Sequence, residues 1–191
     1  MNDLDTLFKA STLDLRAIGA AFDAMDPSSR ITAVRSLGKS AQQRLFAAAD
    51  AGGGLDLEYM VPAARGELAE VIHYGKNSLP LFTHFQKRFA RVPGRPDTLT
   101  GYNEQTMRPF TGPGYFEARV QGKEIAIDYT RVPREKCATW PEILPQTARL
   151  GRFVYAGMID YLRRVSSHVT IGRAVRGGKE TENYFLLCRE G

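Results

Sequence analysis

Apolar side chains along this chain recur with two different periods, and the change of period divides it. From Thr12 onward, Leu15, Ile18, Phe22 and Met25 fall at steps of three and four, the spacing of one helix face. Asp26-Pro27-Ser28-Ser29 ends that helix and offers capping oxygens to the next, because proline fits a first helical turn. Ile31, Val34 and Leu37 line a second helix that Gly38 stops. Ser40-Ala41-Gln42-Gln43 has capping-box spacing and predicts a third helix, reaching about Ala51 and broken by Gly52-Gly53-Gly54. Residues 1–62 therefore read as a helical packing subdomain.

Residues 63–191 mix the two periods. Glu70 to Tyr74 predicts a strand. Gly75-Lys76-Asn77-Ser78-Leu79-Pro80 is turn-rich, and Ser78 is placed to cap a helix with Pro80 early in it. In that helix Phe82, Phe85 and Phe89 share a face while Gln86, Lys87, Arg88 and Arg91 lie elsewhere; Pro93-Gly94-Arg95-Pro96 ends it. Thr98 to Asn103 is a short strand. Phe116, Ala118 and Val120 alternate with polar residues, as do Ile125, Ile127 and Tyr129, and Gln121-Gly122-Lys123 joins the two runs as a hairpin. After the loop Pro133 to Pro145, Leu150, Phe153, Val154, Gly157, Met158, Tyr161, Leu162 and Val165 predict a long amphipathic helix. Val169 to Val175 and Tyr184 to Cys188 form a second hairpin with 176–183 as its tip. The expected fold class is α+β: an N-terminal three-helix segment, then a mainly antiparallel sheet covered by two amphipathic helices.

Composition narrows the class. At 191 residues and 43% hydrophobic, the chain can bury an ordinary core without staples. No apolar run approaches the roughly 18 residues of a membrane span. The acidic start Met1-Asn2-Asp3-Leu4-Asp5 does not resemble a secretory signal, so a cytoplasmic location is expected. Cys137 and Cys188 make no metal or redox motif; Cys188, in an apolar run, is expected buried, and Cys137, among polar neighbours, exposed. The net charge of +5 is uneven: residues 1–72 hold 7 Lys/Arg against 10 Asp/Glu, leaving the rest strongly basic.

Candidate chemistry is sparse. His73, His84 and His168 have no paired spacing, so no metal site is expected. There is no Gly-x-Ser-x-Gly elbow, and nothing in the spacing forces Glu117, Asp128 and Asp160 together as acid–base pairs. Lys76, Asn77 and Ser78 before a helix have the character of an anion-binding turn without the spacing of a phosphate loop. The basic strands with nearby Tyr115, Tyr129 and Tyr184 could serve nucleic acid, but the aromatics fall on the apolar sides and no stacking motif occurs.

The stretches Ile127-Asp128-Tyr129-Thr130-Arg131, Leu150-Gly151-Arg152-Phe153 through Val165, and the two final strands resemble, in element order, the second half of ligand-sensing domains of the haem-nitric-oxide-binding and 4-vinyl-reductase type. The haem family's Tyr-x-Ser-x-Arg signature is absent, as are an axial histidine and the cysteine-rich signature of reductase-type relatives. The resemblance implies a binding pocket and no haem.

Together these readings lead to a non-enzymatic sensing or binding domain. A small anionic or amphipathic molecule would sit between helices and sheet, near Lys76, Asn77, Ser78, Arg131, Trp140 and Arg152. No cofactor is expected; a protein partner or a second copy could use the N-terminal helices. The alternatives are a nucleic-acid-associated basic protein and a small-molecule enzyme of unknown reaction.

Overall fold

The computed structural model describes residues 3–80, 83–146 and 148–190. Eight strands pair in chain order: β1 (Val71–Asn77), β2 (His84–Val92), β3 (Arg95–Glu104), β4 (Phe116–Gln121), β5 (Glu124–Asp128), β6 (Met158–Arg164), β7 (Val169–Arg176) and β8 (Lys179–Arg189). Every pairing is antiparallel, and β8 returns to β1, closing a barrel. This overturns the expected α+β layout of a sheet covered by helices. Eight strands enclose an interior that side chains nearly fill, leaving room for at most a small ligand.

Both predicted hairpins form. β4 and β5 meet at Gly122-Lys123, and β7 and β8 meet at Gly177-Gly178, a shorter tip than expected. The two predicted amphipathic helices do not. Phe85 and Phe89 lie on β2, and Met158, Leu162 and Asp160 on β6; Leu81 and Phe82 fall outside the described residues. A spacing of four is one helical turn but also two strand repeats, so Phe85/Phe89 and Met158/Leu162 satisfy either period. What decides is closure: the chain returns through β8 to β1 only if these segments run as strands. Of the long predicted helix only one turn forms, α7 (Gly151–Val154), and Gly157 at φ 66° turns the chain into β6.

Helices α1 (Asp3–Lys9), α2 (Leu15–Asp23), α3 (Pro27–Ser36) and α4 (Lys39–Ala48) precede the barrel; the last three match expectation. Asp26 accepts from the Ser28 and Ser29 amides as the N-cap of α3, with Pro27 first in the helix. The predicted Ser40 box does not form, since α4 starts two residues earlier, with Gly38 as its N-cap. These helices bury Ile18, Phe22, Val34 and Leu45 against Val169, Ile171, Tyr184, Leu186 and Cys188. Those barrel residues are the outward phase of β7 and β8, so the helices cover the barrel wall from outside.

Alternation places the opposite phase inside. Phe89, Leu99, Phe116, Ile127, Leu162 and Leu187 form the interior core, closed at one end by Leu57 and Met60 of α5 (Leu57–Met60) and by Val61. His73 on β1 binds that plug through Nε2 to the Met60 carbonyl at 2.9 Å. A third cluster lies outside the wall, where Tyr102, Tyr115, Cys137 and Trp140 pack together; Cys137 is thus buried, not exposed as its neighbours suggest. No helix among the described residues is long and apolar enough to cross a membrane.

Candidate functional site

The meander puts the β1–β2, β3–β4, β5–β6 and β7–β8 connections at the barrel end away from α5. A cavity of about 540 Å³ opens there. Its wall includes Phe85, Met158, Ala174 and Phe185, and Leu79 and Phe153 stand at its mouth.

Its floor is polar. Lys87 of β2, Asn103 of β3, Asp160 of β6 and Tyr129, just beyond β5, all occupy inward positions and meet inside the barrel. The Lys87 ammonium donates to Asn103 Oδ1 and Asp160 Oδ2, each at 3.0 Å, and to the Tyr129 hydroxyl. Tyr129 in turn donates to Asp160 Oδ2 at 3.2 Å. Asn103 Nδ2 donates to the Gly114 carbonyl at 3.1 Å, which fixes its oxygen toward Lys87. The three N–H bonds of the ammonium therefore have three acceptors. Around them stand aromatic faces: Phe116, Tyr129 and Phe185 lie 5.0–5.3 Å from the nitrogen and Phe85 5.6 Å away. Tyr155 stacks on Tyr129 at 5.3 Å and accepts from Gln105 at 2.8 Å.

Burial works against charge at this floor. Lys87 is only 2% exposed, and loss of water pulls its ammonium below the usual lysine range, while Asp160 opposes that shift. The Tyr129 phenol is pushed well above its ordinary value, first by burial and then by the Asp160 carboxylate. Tyr155 is pushed up to about 12 by burial. Both phenols therefore stay protonated near neutrality. A buried ion pair rarely adds stability over an apolar replacement, because desolvation costs several kcal/mol per ion. Its place at the base of a cavity makes it the candidate functional site.

The structure distributes the sequence-predicted residues widely. Asn77 lines the cavity, and its Oδ1 caps the Leu79 amide at 3.0 Å. Ser78 extends the β1–β8 pairing: its amide donates to the Tyr184 carbonyl at 2.8 Å, and its hydroxyl accepts from the Tyr184 amide at 2.9 Å. Lys76 lies on the outward phase of β1, opposite Leu186. Arg131 pairs with Asp128 at 3.1 Å on the surface. Trp140 belongs to the outer cluster and donates to Glu70 at 2.6 Å. Arg152 lies over the Phe153 ring, 4.6 Å from its centre, near the mouth. Sequence reasoning missed the floor, although a signal exists. Lys87 is in strand phase with Phe85 and Phe89, and Asp160 with Met158 and Leu162. A charge midway between apolar residues four apart marks an inward polar group only once the period is two.

A second concavity, about 1120 Å³, lies between α2, α4 and the β6–β7 turn. It is broad and open, and Arg44 on its edge is committed to the Phe8, Ala10 and Ser11 carbonyls. With no buried ionisable cluster, it offers less chemistry than the smaller barrel cavity. Among the described residues, no three His, Cys, Asp or Glu side chains gather as a metal site.

No protein-family model matches the chain, and no curated protein matches it. Among solved structures, a crystal structure of a surface lipoprotein is similar with a TM-score of 0.29 and 7% identity. The match covers 64% of this chain and 61% of that one. Likeness at that level carries no argument about function, so the reading of the site rests on its own geometry.

Proposed function

We propose that this chain is a small-molecule-binding barrel. Its ligand is an amphipathic molecule with a flat or chain-like apolar body and one hydrogen-bonding head. The supporting observation is the fully buried Lys87–Asp160–Tyr129–Asn103 cluster at the base of an aromatic-walled cavity of about 540 Å³. Ligand sites are mostly apolar with a few placed polar groups, and this one has that composition. Lys87 and Asp160 cancel in charge, so the floor suits a neutral head, such as a hydroxyl, carbonyl or phenol, better than an anion. The cavity lies within the barrel, not between helices and sheet.

Nucleic-acid binding has less support. Arg88, Arg119, Arg163 and Arg173 on the outer wall are paired with Glu70, Glu117, Glu124 and Glu180, which leaves them poorly placed for phosphates. The shifted Lys87 and Tyr129 would also meet the requirement of an acid–base site. Turnover of a bound carbonyl compound would favour that second reading.

Native mass spectrometry of the purified protein, followed by a thermal-shift panel of long-chain alcohols, phenols and carboxylates, tests the binding reading. Neutral amphiphiles should raise Tm more than matched carboxylates. No shift with any class would contradict the proposal, and a preference for carboxylates would contradict the neutral head.

A further inference from the structure

The mouth of the barrel carries an unusual surface. Phe153 is 61% exposed, Phe110 60%, Leu150 51% and Leu79 44%. All four belong to connections at the cavity end: Leu79 follows β1, Phe110 lies in α6 (Arg108–Thr111) after β3, and Leu150 and Phe153 precede β6. Val132 is exposed near the start of that last connection, while Val120 is exposed on β4 toward the closed end. The tips are held side by side. The Leu150 amide donates to the Phe110 carbonyl at 3.2 Å, and Arg149 donates to the Pro109 carbonyl at 2.7 Å. Phe153 and Leu79 also line the cavity.

Cations surround these tips. Arg149, Arg152 and Arg176 are exposed, and among the described residues they meet backbone carbonyls or, for Arg152, a ring. Arg176 donates to the Phe153 carbonyl at 2.9 Å, so it fixes the very turn that presents the aromatic tip. Arg108 pairs with a carboxylate, Glu104, at 2.9 Å, and Arg131, after β5, with Asp128 at 3.1 Å. Large exposed apolar side chains in a cluster mark an interaction surface. Aromatic tips flanked by arginines match the lipid–water interface, where rings enter the headgroup layer and guanidinium groups meet anionic phosphates.

We infer that this rim docks the barrel mouth-first onto an anionic lipid surface. The barrel wall is not the contact, because it carries the ion pairs Arg88–Glu70 and Arg163–Glu124 outward. Charge complementarity singles out an anionic bilayer: three exposed arginines at the same end as the apolar tips have no carboxylate partner among the described residues. The arrangement would also let an apolar molecule pass between bilayer and cavity without crossing bulk water. The docking itself does not depend on what the interior binds.

Vesicle flotation tests it, using phosphatidylcholine vesicles with and without phosphatidylglycerol. The protein should float with the anionic vesicles, less so as salt rises, and poorly with phosphatidylcholine alone. Phe110→Ser combined with Phe153→Ser should weaken partitioning at least roughly tenfold, as expected for two large side chains returned to water. Arg149→Gln with Arg152→Gln should weaken it on anionic vesicles only. Val120→Ser, at the other end, should leave it unchanged. These side chains are exposed, so circular dichroism should report an unaltered fold. The inference is overturned by absence of flotation, by equal binding to both vesicle types, or by unchanged binding of the double Phe variant. Self-association through the same residues, with no vesicle binding, would assign the rim to a second copy and also overturn it. Interior binding is read separately with a soluble amphiphile, so failure of one proposal leaves the other testable.

Discussion

Gly75, Gly101 and Gly172 each face inward directly opposite a phenylalanine on the neighbouring strand: Phe85, Phe116 and Phe185. Each ring lies over its glycine, so closely that a Cβ would stand 2.3–2.6 Å from a ring atom. The pairing lets three large rings lie flat within a narrow barrel, and two of them, Phe85 and Phe185, wall the cavity. Gly172→Ala should therefore destabilise the protein by about 1–3 kcal/mol through overpacking, read as a drop in Tm, whereas Gly53→Ala, with open space around it, should change little. At the floor, Lys87→Met strands the Asp160 carboxylate and should cost about 3–5 kcal/mol. Lys87→Met with Asp160→Leu should recover much of that loss, and a double-mutant cycle in urea measures the difference.

His73 gives a pH signature at the same scale. Burial holds its imidazole at about 3, well below the usual 6.5. The unfolded chain thus binds a proton between these values that the folded chain refuses. Stability from this group is complete above about 6.5 and declines toward about 3, by at most about 1.4 kcal/mol per pH unit. His168, also held low first by burial, adds in the same direction. Urea titrations across this range should show a shallower slope for His73→Gln, which keeps a donor toward the Met60 carbonyl.

Among the elements, the hairpins and front helices could be read from sequence because each depends on local signals. Gly122-Lys123 between alternating runs, and Asp26-Pro27 before Ile31, act within a few residues. β2 and β6 could not, because Phe85/Phe89 and Met158/Leu162 fit both periods and strand pairing across the barrel decides between them. The candidate site disappeared with them: in a helix, Lys87 and Asp160 become solvated flanks, and only the strand phase turns them inward. Asn77, expected in an anion-binding turn before a helix, instead ends the inward phase of β1 and lines the cavity. The front helices also have a testable role, covering the apolar outer face of β7 and β8. Phe22→Ala, fully buried in that contact, should cost about 3–5 kcal/mol. Equilibrium unfolding measures it, with Phe110→Ser, exposed at the rim, within about 0.5 kcal/mol of the parent.

For the molecule as a whole, the barrel has one end sealed by Leu57, Met60 and Val61 and the other open to a cavity. A packed apolar barrel would be simpler to fold than one that buries an ion pair and leaves a cavity above it. That expense is consistent with selection for binding. The lone Trp140 lies outside the wall, so its fluorescence does not report on the interior. An added probe does. Titration with N-phenyl-1-naphthylamine, a neutral polarity-sensitive amphiphile, is the most direct measurement. Saturable one-to-one enhancement is predicted for the parent protein, and its loss in Ala174→Trp, which fills the cavity and whose fold is checked by circular dichroism. An unfilled barrel that leaves the probe in water, or a filled one that binds it equally well, would contradict an interior ligand site.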